Sequence, residues 1–165
     1  MTDAGAWERK NSMVYISDIE TPLGLWKITG SEDGVTGVYP MDSDIIPQEN
    51  DITRQAAREL AEYFVHIRTE FSTPLDLQGT PFQRAVWAQL CSIPYGQSLC
   101  YSQVAQAMGR PEAVRAVANA IGRNPCLIFV PCHRVLGKDG GLTGFAAGLE
   151  NKKWLLDLEH IPWKR

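Results

Sequence analysis

The amino-acid sequence predicts an α/β N-terminal domain, made of a small antiparallel sheet and one helix, followed by a mostly α C-terminal domain with a winged helix-turn-helix. The first half contains three short runs rich in β-branched and aromatic residues, "MVYISDI", "LGLWKIT" and "GVTGVY", which turn residues separate. The second half contains several helix starts joined by tight turns. We therefore expect two domains, at residues 1–77 and 78–165.

The composition excludes several classes of protein. With 44% apolar and 21% charged residues in a chain of 165, the values are those of a globular protein and exclude disorder. No apolar run is long enough to cross a bilayer, and the first residues, "MTDAGAWERKNS", lack an apolar signal core, so we expect a cytoplasmic protein without a membrane partner. The four cysteines form no CxxC pair, which favours free thiols over disulfides or a zinc site.

The charge is divided unequally between the two halves. Residues 1–77 carry a net charge of −8 and residues 78–165 carry +5, although the whole chain carries only −3. A polyanion repels the first half and attracts the second. If nucleic acid binds, it therefore binds the second half.

The clearest helix signals lie on either side of the boundary between the halves. The run "DITRQAARELAEYFVHIRTEF", residues 51–71, has apolar residues at helical spacing and predicts one helix that covers a face of the sheet. After the connection "STPLDLQGT", Thr80 is the expected N-cap of the next helix, with Pro81 at its first position and Gln83 completing a capping box. This helix is expected to end near Ser92.

Two short helices joined by a tight turn follow and predict a helix-turn-helix. Ser102 is the expected N-cap of the first, which stops at Gly109, and Pro111 opens the second, which Gly122 closes. The second helix is rich in alanine, with Arg115 as its only long polar side chain before its end. Such a helix either approaches a nucleic acid closely or is buried with Arg115 in a salt bridge.

The stretch "NPCLIFVPCHRV", residues 124–135, predicts a buried strand that ends on a Pro-Cys-His-Arg turn. A thiolate is a strong nucleophile, and His133 can generate one at Cys132 if the chain turns here or a water bridges the gap. Glu159 lies on the apolar face of the last helix, predicted over residues 148–159, where a carboxylate needs a partner. These three residues predict a reactive thiol with a base and an orienting carboxylate.

Each of those three residues also has an ordinary structural interpretation: a buried cysteine, a satisfied core histidine and a solvated glutamate at a helix end. Asn124 is expected to fix the turn from which the strand delivers Cys132. Arg134 reaches either solvent or a phosphate, and the residues alone leave both alternatives open.

The segment "GTPFQRAVWAQLCSIPYGQSLCYSQVAQAMGRPEAVRAV", followed by "RAVANAIGR" and "NPCLIFVPCHRV", closely resembles the O6-alkylguanine-DNA alkyltransferases, also called methylated-DNA–protein-cysteine methyltransferases. The resemblance covers about residues 79–160, and the Pro-Cys-His-Arg-Val signature is highly specific. The first half resembles the family only in its length and in the order of its strands and helix.

The resemblance implies direct repair of DNA, in which O6-alkylguanine, and also O4-alkylthymine, rotates out of the duplex and its alkyl group passes irreversibly to the protein. Cys132 is the implied acceptor, His133 the base acting through water, Glu159 the residue that orients it, and Asn124 the residue that holds the turn. Tyr101 is implied to help rotate the target phosphate and to donate towards guanine N3. Each molecule then reacts once, because a thioether has no easy reverse route.

The resemblance also implies a DNA-binding surface and a base pocket. Arg115 matches the finger that replaces the flipped nucleotide when the helix-turn-helix lies in the minor groove. The DNA-binding residues are Tyr101, Ser102, Arg115, Ala116 and Arg123. The pocket residues are Val135, Phe145, Ala146 and Ala147. Phe145 stands where many members have tyrosine and Ala147 where many have glycine, so the pocket lacks one hydroxyl and gains one methyl group.

Some relatives bind zinc through cysteines of the first half, where this chain has none, so we expect no metal and no cofactor. We expect a monomer when DNA is absent. Three other classes compete: a lesion-binding protein without transfer activity, a winged-helix regulator and a cysteine hydrolase. The first lacks an acceptor cysteine, the second leaves Cys132, His133 and Glu159 unexplained, and the third predicts turnover of a small substrate.

Overall fold

The computed structural model of the protein describes residues 14–41 and 44–164. Its first half contains an antiparallel sheet of three strands among the described residues, in the order β1-β2-β3. The strands are β1 (Tyr15–Thr21), β2 (Gly24–Gly30) and β3 (Val35–Pro40). The first helix, α1 (Asp51–Phe64), begins at a capping box between Asn50 and Thr53. The predicted sheet followed by a helix is therefore confirmed.

One face of the sheet is buried because side chains alternate along each strand. Trp26 and Ile28 of β2 are fully buried, and Val38 of β3 pairs with Ile28. The helix α1 packs against this face through Ala56 and Leu60, which are also fully buried. The small sheet thus has a buried face and a solvated face.

The second half is mostly helical. Its elements are α2 (Pro81–Cys91), β4 (Leu99–Cys100), α3 (Tyr101–Ala107), α4 (Val114–Gly122), a 3-10 turn (Cys132–Arg134), β5 (Val135–Leu136) and α5 (Leu149–Leu158). The capping box predicted for α2 is confirmed, because Thr80 and Gln83 exchange side-chain to backbone hydrogen bonds of 3.0 and 3.1 Å. No helix in the described parts of the chain is long and apolar enough to cross a membrane.

Three predicted helix boundaries are wrong. The helix α1 ends at Phe64 rather than continuing to residue 71, because His66 adopts a left-handed backbone with φ of 63°. Cys100, not Ser102, is the N-cap of α3. The side chain of Gln103 accepts a hydrogen bond from the backbone N–H of Cys100.

The helix α4 also begins later than predicted, at Val114. Pro111 lies in a turn, which the hydrogen bond from Ala113 N–H to the Arg110 carbonyl closes.

The buried strand predicted within residues 126–130 is wrong as well. Ile128 has φ of 74°, a rare conformation for a β-branched residue, and the chain turns so that Val130 N–H bonds the Cys126 carbonyl at 2.9 Å. The run is buried, as expected, but it wraps around this turn instead of extending. An apolar run alone does not distinguish the two, because periodicity reports burial and not direction.

The two halves share one continuous hydrophobic core. Backbone hydrogen bonds from Val38 N–H to Pro125 and from Leu127 N–H to Val38 join β3 to the segment before the 3-10 turn, at 2.9 and 3.0 Å. The rings of Phe71 and Phe129 stack across the same boundary with centroids 4.2 Å apart. The first half therefore packs directly behind the turn that carries Cys132, and the division at residue 77 stays a prediction.

Candidate active site at the Cys132 turn

The 3-10 turn that contains Cys132 is held from behind by Asn124. The Asn124 side chain donates to the Val130 carbonyl at 2.8 Å and accepts from Cys126 N–H at 2.9 Å. These two bonds close the loop at both ends around the left-handed Ile128. Asn124 is itself buried, so its amide satisfies backbone groups that water does not reach. The turn therefore presents Cys132 from a fixed frame.

Glu159 is the centre of a buried hydrogen-bond network. Its Oε2 accepts from the Tyr63 hydroxyl at 2.6 Å, from His133 Nε2 at 2.6 Å and from Arg134 at 3.1 Å. Its Oε1 accepts from Arg134 Nε at 2.8 Å and from Gly96 N–H at 3.1 Å. Burial alone raises the pKa of this carboxyl, but the hydrogen bonds from His133 and Arg134 outweigh it and lower the pKa to about 2. Glu159 is therefore an ionised acceptor.

The ionised Glu159 determines which nitrogen of His133 carries the proton. A carboxylate only accepts hydrogen bonds, so Nε2 of His133 is the protonated nitrogen. Burial, together with the positive charges of Arg134 and Lys152, lowers the pKa of His133 despite Glu159, which favours the neutral ring. Its Nδ1 then carries the lone pair, is buried, and has no hydrogen-bond partner among the described residues. That atom is available to accept a proton.

The surroundings of Cys132 favour the protonated thiol. Burial raises its pKa to about 11, although the hydrogen bond with Asn124 and the positive charge of Lys152 act to lower it. Lys152 is fully buried, and its ammonium donates to the Val135 carbonyl at 2.8 Å. Burial lowers the pKa of Lys152 to about 8. A thiol with such a pKa needs a base at the moment of reaction, because the thiolate is the nucleophile.

A cavity of about 490 Å³ opens beside Cys132. It is lined by Cys132, by Tyr101 of α3, by Ala118, Ile121 and Gly122 of α4, and by the loop residues Thr143, Gly144, Phe145 and Ala146. The Tyr101 hydroxyl lies 2.6 Å from the Thr143 hydroxyl. Burial raises the pKa of Tyr101, so its phenol stays protonated and can donate a hydrogen bond into the cavity. The volume is that of a small-molecule pocket.

The predicted DNA-binding residues lie on α3 and α4, outside the buried network. Arg115 and Ala116 are exposed on α4, whereas Val117 and Ile121 face the core. The alternative in which Arg115 is buried in the helix is therefore wrong. Arg123 is exposed, and its Nε donates to the Asn119 side chain at 3.3 Å.

Ser102 is half-buried within α3, with its hydroxyl 3.2 Å from the Cys100 sulfur.

The structure brings together Cys132, His133, Glu159 and Asn124, and Tyr101 lines the same cavity as Cys132. Phe145 and Ala146 line the cavity, as described above. Two residues that we placed in the pocket do not line it: Ala147 packs against the core and Val135 is fully buried. Arg134 reaches neither solvent nor a phosphate site, because it is buried between Glu159 and the Ile93 carbonyl.

Sequence reasoning missed three residues of the site. Lys152 lies seven positions, about two helical turns, before Glu159, the C-cap of α5, so the argument that selected Glu159 also applies to it. Thr143 belongs to a loop whose fold the sequence does not specify. Tyr63 is separated from Glu159 by 96 positions, and no local pattern connects them.

Among the described residues, no group of three or more His, Cys, Asp or Glu side chains could hold a metal ion. All four cysteines are free thiols, with Cys126 and Cys132 buried and Cys91 exposed. The absence of a metal stays a prediction from the sequence.

Comparison with known proteins points to one family. A family model described as the DNA-binding domain of 6-O-methylguanine DNA methyltransferase matches residues 81–161. The constitutive methylated-DNA–protein-cysteine methyltransferase of Bacillus subtilis is 42% identical, and the alignment covers 92% of this chain and 99% of that protein. A methylated-DNA–protein-cysteine methyltransferase of Methanosarcina barkeri is 41% identical, with coverage of 88% and 97%.

Solved structures agree with the sequence comparison. The crystal structure of the O6-methylguanine methyltransferase of Mycobacterium tuberculosis superposes with a TM-score of 0.81 at 38% identity, covering 89% of this chain and 93% of that one. The structure of OGT of the same organism in complex with DNA superposes with a TM-score of 0.80 at 38% identity, covering 87% and 91%.

Proposed function

The chain belongs to the methylated-DNA–protein-cysteine methyltransferase family, and from that premise we propose that it repairs O6-alkylguanine, and also O4-alkylthymine, by transferring the alkyl group to Sγ of its own Cys132. The observation that carries the proposal is the position of Cys132. Its thiol borders a cavity, and the next residue, His133, is held by Glu159 at 2.6 Å with Nδ1 left as the basic atom.

The reaction begins with loss of the Cys132 proton. We assign His133 as the base, with Nδ1 accepting that proton through a bridging water, while Glu159 stabilises the imidazolium that forms. The thiolate then attacks the alkyl carbon as the bond from that carbon to O6 breaks. Guanine leaves with the electron pair and gains the proton that the thiol lost, so atoms and charge balance. Asn124 keeps the turn in place throughout.

Tyr101 acts on the substrate side of the cavity. Its phenol points into the same space as Cys132 and keeps its proton because burial raises its pKa. A protonated phenol at this position donates to guanine N3, which stabilises the negative charge of the leaving base. It also helps rotate the target phosphate. The hydrogen bond with Thr143 is compatible with this donation, because the Thr143 hydroxyl can donate to the Tyr101 oxygen while the phenol donates to the base.

The DNA-binding surface consists of α3 and α4, which form a helix-turn-helix of the winged type in the minor groove. Small side chains such as Ala116 permit close approach to a narrow groove. Flipping a nucleotide costs a few kcal/mol, and Arg115 offsets part of it by filling the gap and bonding the orphaned base. Ser102 and Arg123 contact the backbone nearby. The acidic first half, residues 1–77, faces away from DNA.

The pocket decides which alkyl groups enter. Phe145 and Ala146 line the cavity, whereas Ala147 packs against the core. The product is a thioether at Cys132, so each molecule acts once, without a cofactor or a metal. We place the protein in the cytoplasm as a monomer, with its transfer domain over residues 78–165.

The deciding experiment is intact mass spectrometry after incubation with a duplex that bears O6-methylguanine. We expect one methyl increment, which Cys132→Ala abolishes and Cys91→Ala retains, since Cys91 is exposed and does not line the Cys132 cavity. An unchanged wild-type mass with tight binding to the duplex indicates a lesion-binding protein instead. Repeated turnover of a small substrate indicates a hydrolase.

A second experiment tests the role of Arg115. We expect Arg115→Ala to slow transfer from duplex DNA while hardly changing the reaction with free O6-benzylguanine, because only the duplex requires the gap to be filled. The exposed Arg84 of α2 offers a matched control, Arg84→Ala, which removes a positive charge outside the helix-turn-helix. Equal losses on both substrates would contradict the finger role.

A further inference from the structure

The first half of the molecule contributes a side chain to the buried network behind Cys132. The hydroxyl of Tyr63, on α1, donates to Oε2 of Glu159 at 2.6 Å. The same oxygen accepts from His133 Nε2, also at 2.6 Å. Tyr63 is fully buried, so water does not replace this bond. The carboxylate that orients the base therefore has one of its donors in the other half of the chain.

The position of the Tyr63 hydroxyl is fixed by aromatic side chains from both halves. Its ring lies edge-on to Phe64 and Tyr95, with centroids 5.5 and 6.1 Å away, and is tilted against Phe71 at 5.6 Å. Because aromatic side chains packed on several sides keep one rotamer, the hydroxyl is an inflexible donor.

Tyr63 keeps its phenolic proton at neutral pH. Burial and the negative charge of Glu159 both raise the pKa of its phenol far above the usual value. The phenol therefore acts as a hydrogen-bond donor to Glu159. Its contribution to Oε2 is a constant partial neutralisation of the negative charge that faces His133.

We propose that Tyr63 is a positioning residue for alkyl transfer, which fixes Oε2 of Glu159 and limits how strongly that carboxylate holds a proton on His133. This role rests on the proposed function of Cys132 and His133. It gives a residue of the acidic first half a part in the chemistry. His133 must accept one proton and later release it. The carboxylate beside it must therefore not stabilise the imidazolium too strongly.

Several other charged or titratable groups face this network. Arg134, in the 3-10 turn, hydrogen-bonds Glu159. The positive charge of Lys152, on α5, affects the pKa of both Cys132 and His133. Tyr95 lies near Glu159 and Arg134. Replacement of Tyr63 by phenylalanine leaves all of them in place. The change therefore removes one neutral donor without adding or deleting a charge.

The direction of the effect follows from the loss of that donor. Without the phenol, Oε2 is less satisfied and its negative charge acts more fully on His133, which stabilises the imidazolium. We expect the pKa of His133 to rise by about half a pH unit or more in Tyr63→Phe. The pH below which transfer slows should move upward with it, so transfer below that pH should fall by about threefold for each half unit, with little change above it.

The test compares Tyr63→Phe with Tyr95→Phe in the full-length protein. Tyr95 is the matched control, because its hydroxyl bonds the Leu158 carbonyl at 3.4 Å and not the Glu159 carboxylate, while its ring still packs on Arg134 in the variant. Titration of the His133 imidazole by NMR gives the first readout and needs no substrate. Single-turnover methyl transfer across a pH series gives the second.

An upward shift of both readouts in Tyr63→Phe, absent in Tyr95→Phe, supports the proposal. An unchanged pKa of His133 in Tyr63→Phe overturns it, even if the variant is less stable. A double variant adds a further condition: in a Glu159→Gln background, Tyr63→Phe should cause no further loss of transfer. If the proposed function is wrong, the wild-type protein shows no methyl transfer. The NMR titration of His133 still tests the role of Tyr63 in that case.

Discussion

Glu59 in the first half and Glu159 in the second are both buried glutamates, and the pKa of each is lowered to about 2. In both, burial alone raises the pKa and hydrogen bonds outweigh it. Glu59 accepts hydrogen bonds from neutral donors, which are the backbone and hydroxyl groups of Ser72 and Thr73 and the amide of Gln55. Its charged neighbour, Arg68, lies at a longer distance of 3.7 Å. Glu59 ties the connection between the halves to α1.

Glu159 differs in the chemistry of its donors. They include Arg134, which is permanently charged, and His133, which can change its protonation state. A lowered carboxyl pKa therefore indicates only that a buried charge is well satisfied. A titratable partner beside a nucleophile is what indicates a role in a reaction.

The largest effect that separates the two glutamates is on stability after truncation. We expect Glu159→Ala to lower the free energy of unfolding by about 3–5 kcal/mol, because it leaves the buried Arg134 without a counter-charge. Glu59→Ala should cost about 2–3 kcal/mol, because it leaves buried neutral donors unpaired. Urea unfolding of both variants measures the difference, and equal losses would show that Arg134 finds another partner.

Alkyl transfer should separate the two residues more specifically. We expect Glu159→Gln to slow methyl transfer by about 10- to 100-fold, since the imidazolium of His133 loses its stabilising charge. Glu59→Gln should remain within about twofold of wild type once folded protein is compared, because Glu59 contacts no residue of the site. Single-turnover rates on an O6-methylguanine duplex provide the measurement. A large loss in Glu59→Gln would mean that the connection between the halves also controls the site.

Low pH should remove the stabilisation that each of the two ionised glutamates contributes to the folded state. Each folded pKa of about 2 lies below the ordinary value of 4.5, so the unfolded chain binds more protons between these values. The stabilisation is therefore complete above about pH 4.5 and is lost as the pH falls towards 2. Unfolding free energies between pH 6 and 3 should decline, less steeply in Glu59→Gln. A decline of the same slope in that variant would contradict the lowered pKa of Glu59.

The smallest expected effect concerns a single donor to Glu59. Thr73→Val removes one buried hydroxyl, which bonds Oε1 at 2.7 Å, and should cost about 1 kcal/mol with the transfer rate unchanged. Thr73→Ser, which keeps the hydroxyl, is the matched control. Thermal unfolding measures the difference. Slower methyl transfer in Thr73→Val would mean that the hydrogen bonds of Glu59 also affect the Cys132 site.

The sequence by itself determined those features whose causes are local. The strands and α1 follow from short-range periodicity, and the start of α2 follows from three adjacent capping residues. Cys132, His133 and Glu159 were identifiable because the motif is contiguous and a carboxylate on an apolar helix face needs a partner. The same argument applies to Lys152, which is fully buried on α5.

The tertiary structure alone decided the features that depend on contacts between distant segments. The turn at Ile128 exists because β3 and Asn124 hold both ends of the loop, and nothing in the local apolar pattern specifies a left-handed residue. Arg134 is buried together with Glu159, which accepts five hydrogen bonds from the described residues. Two of them come from Arg134 itself, and one comes from Tyr63, 96 positions away. A sequence pattern records which side chains need burial or a charge partner, whereas packing decides which partner each one receives.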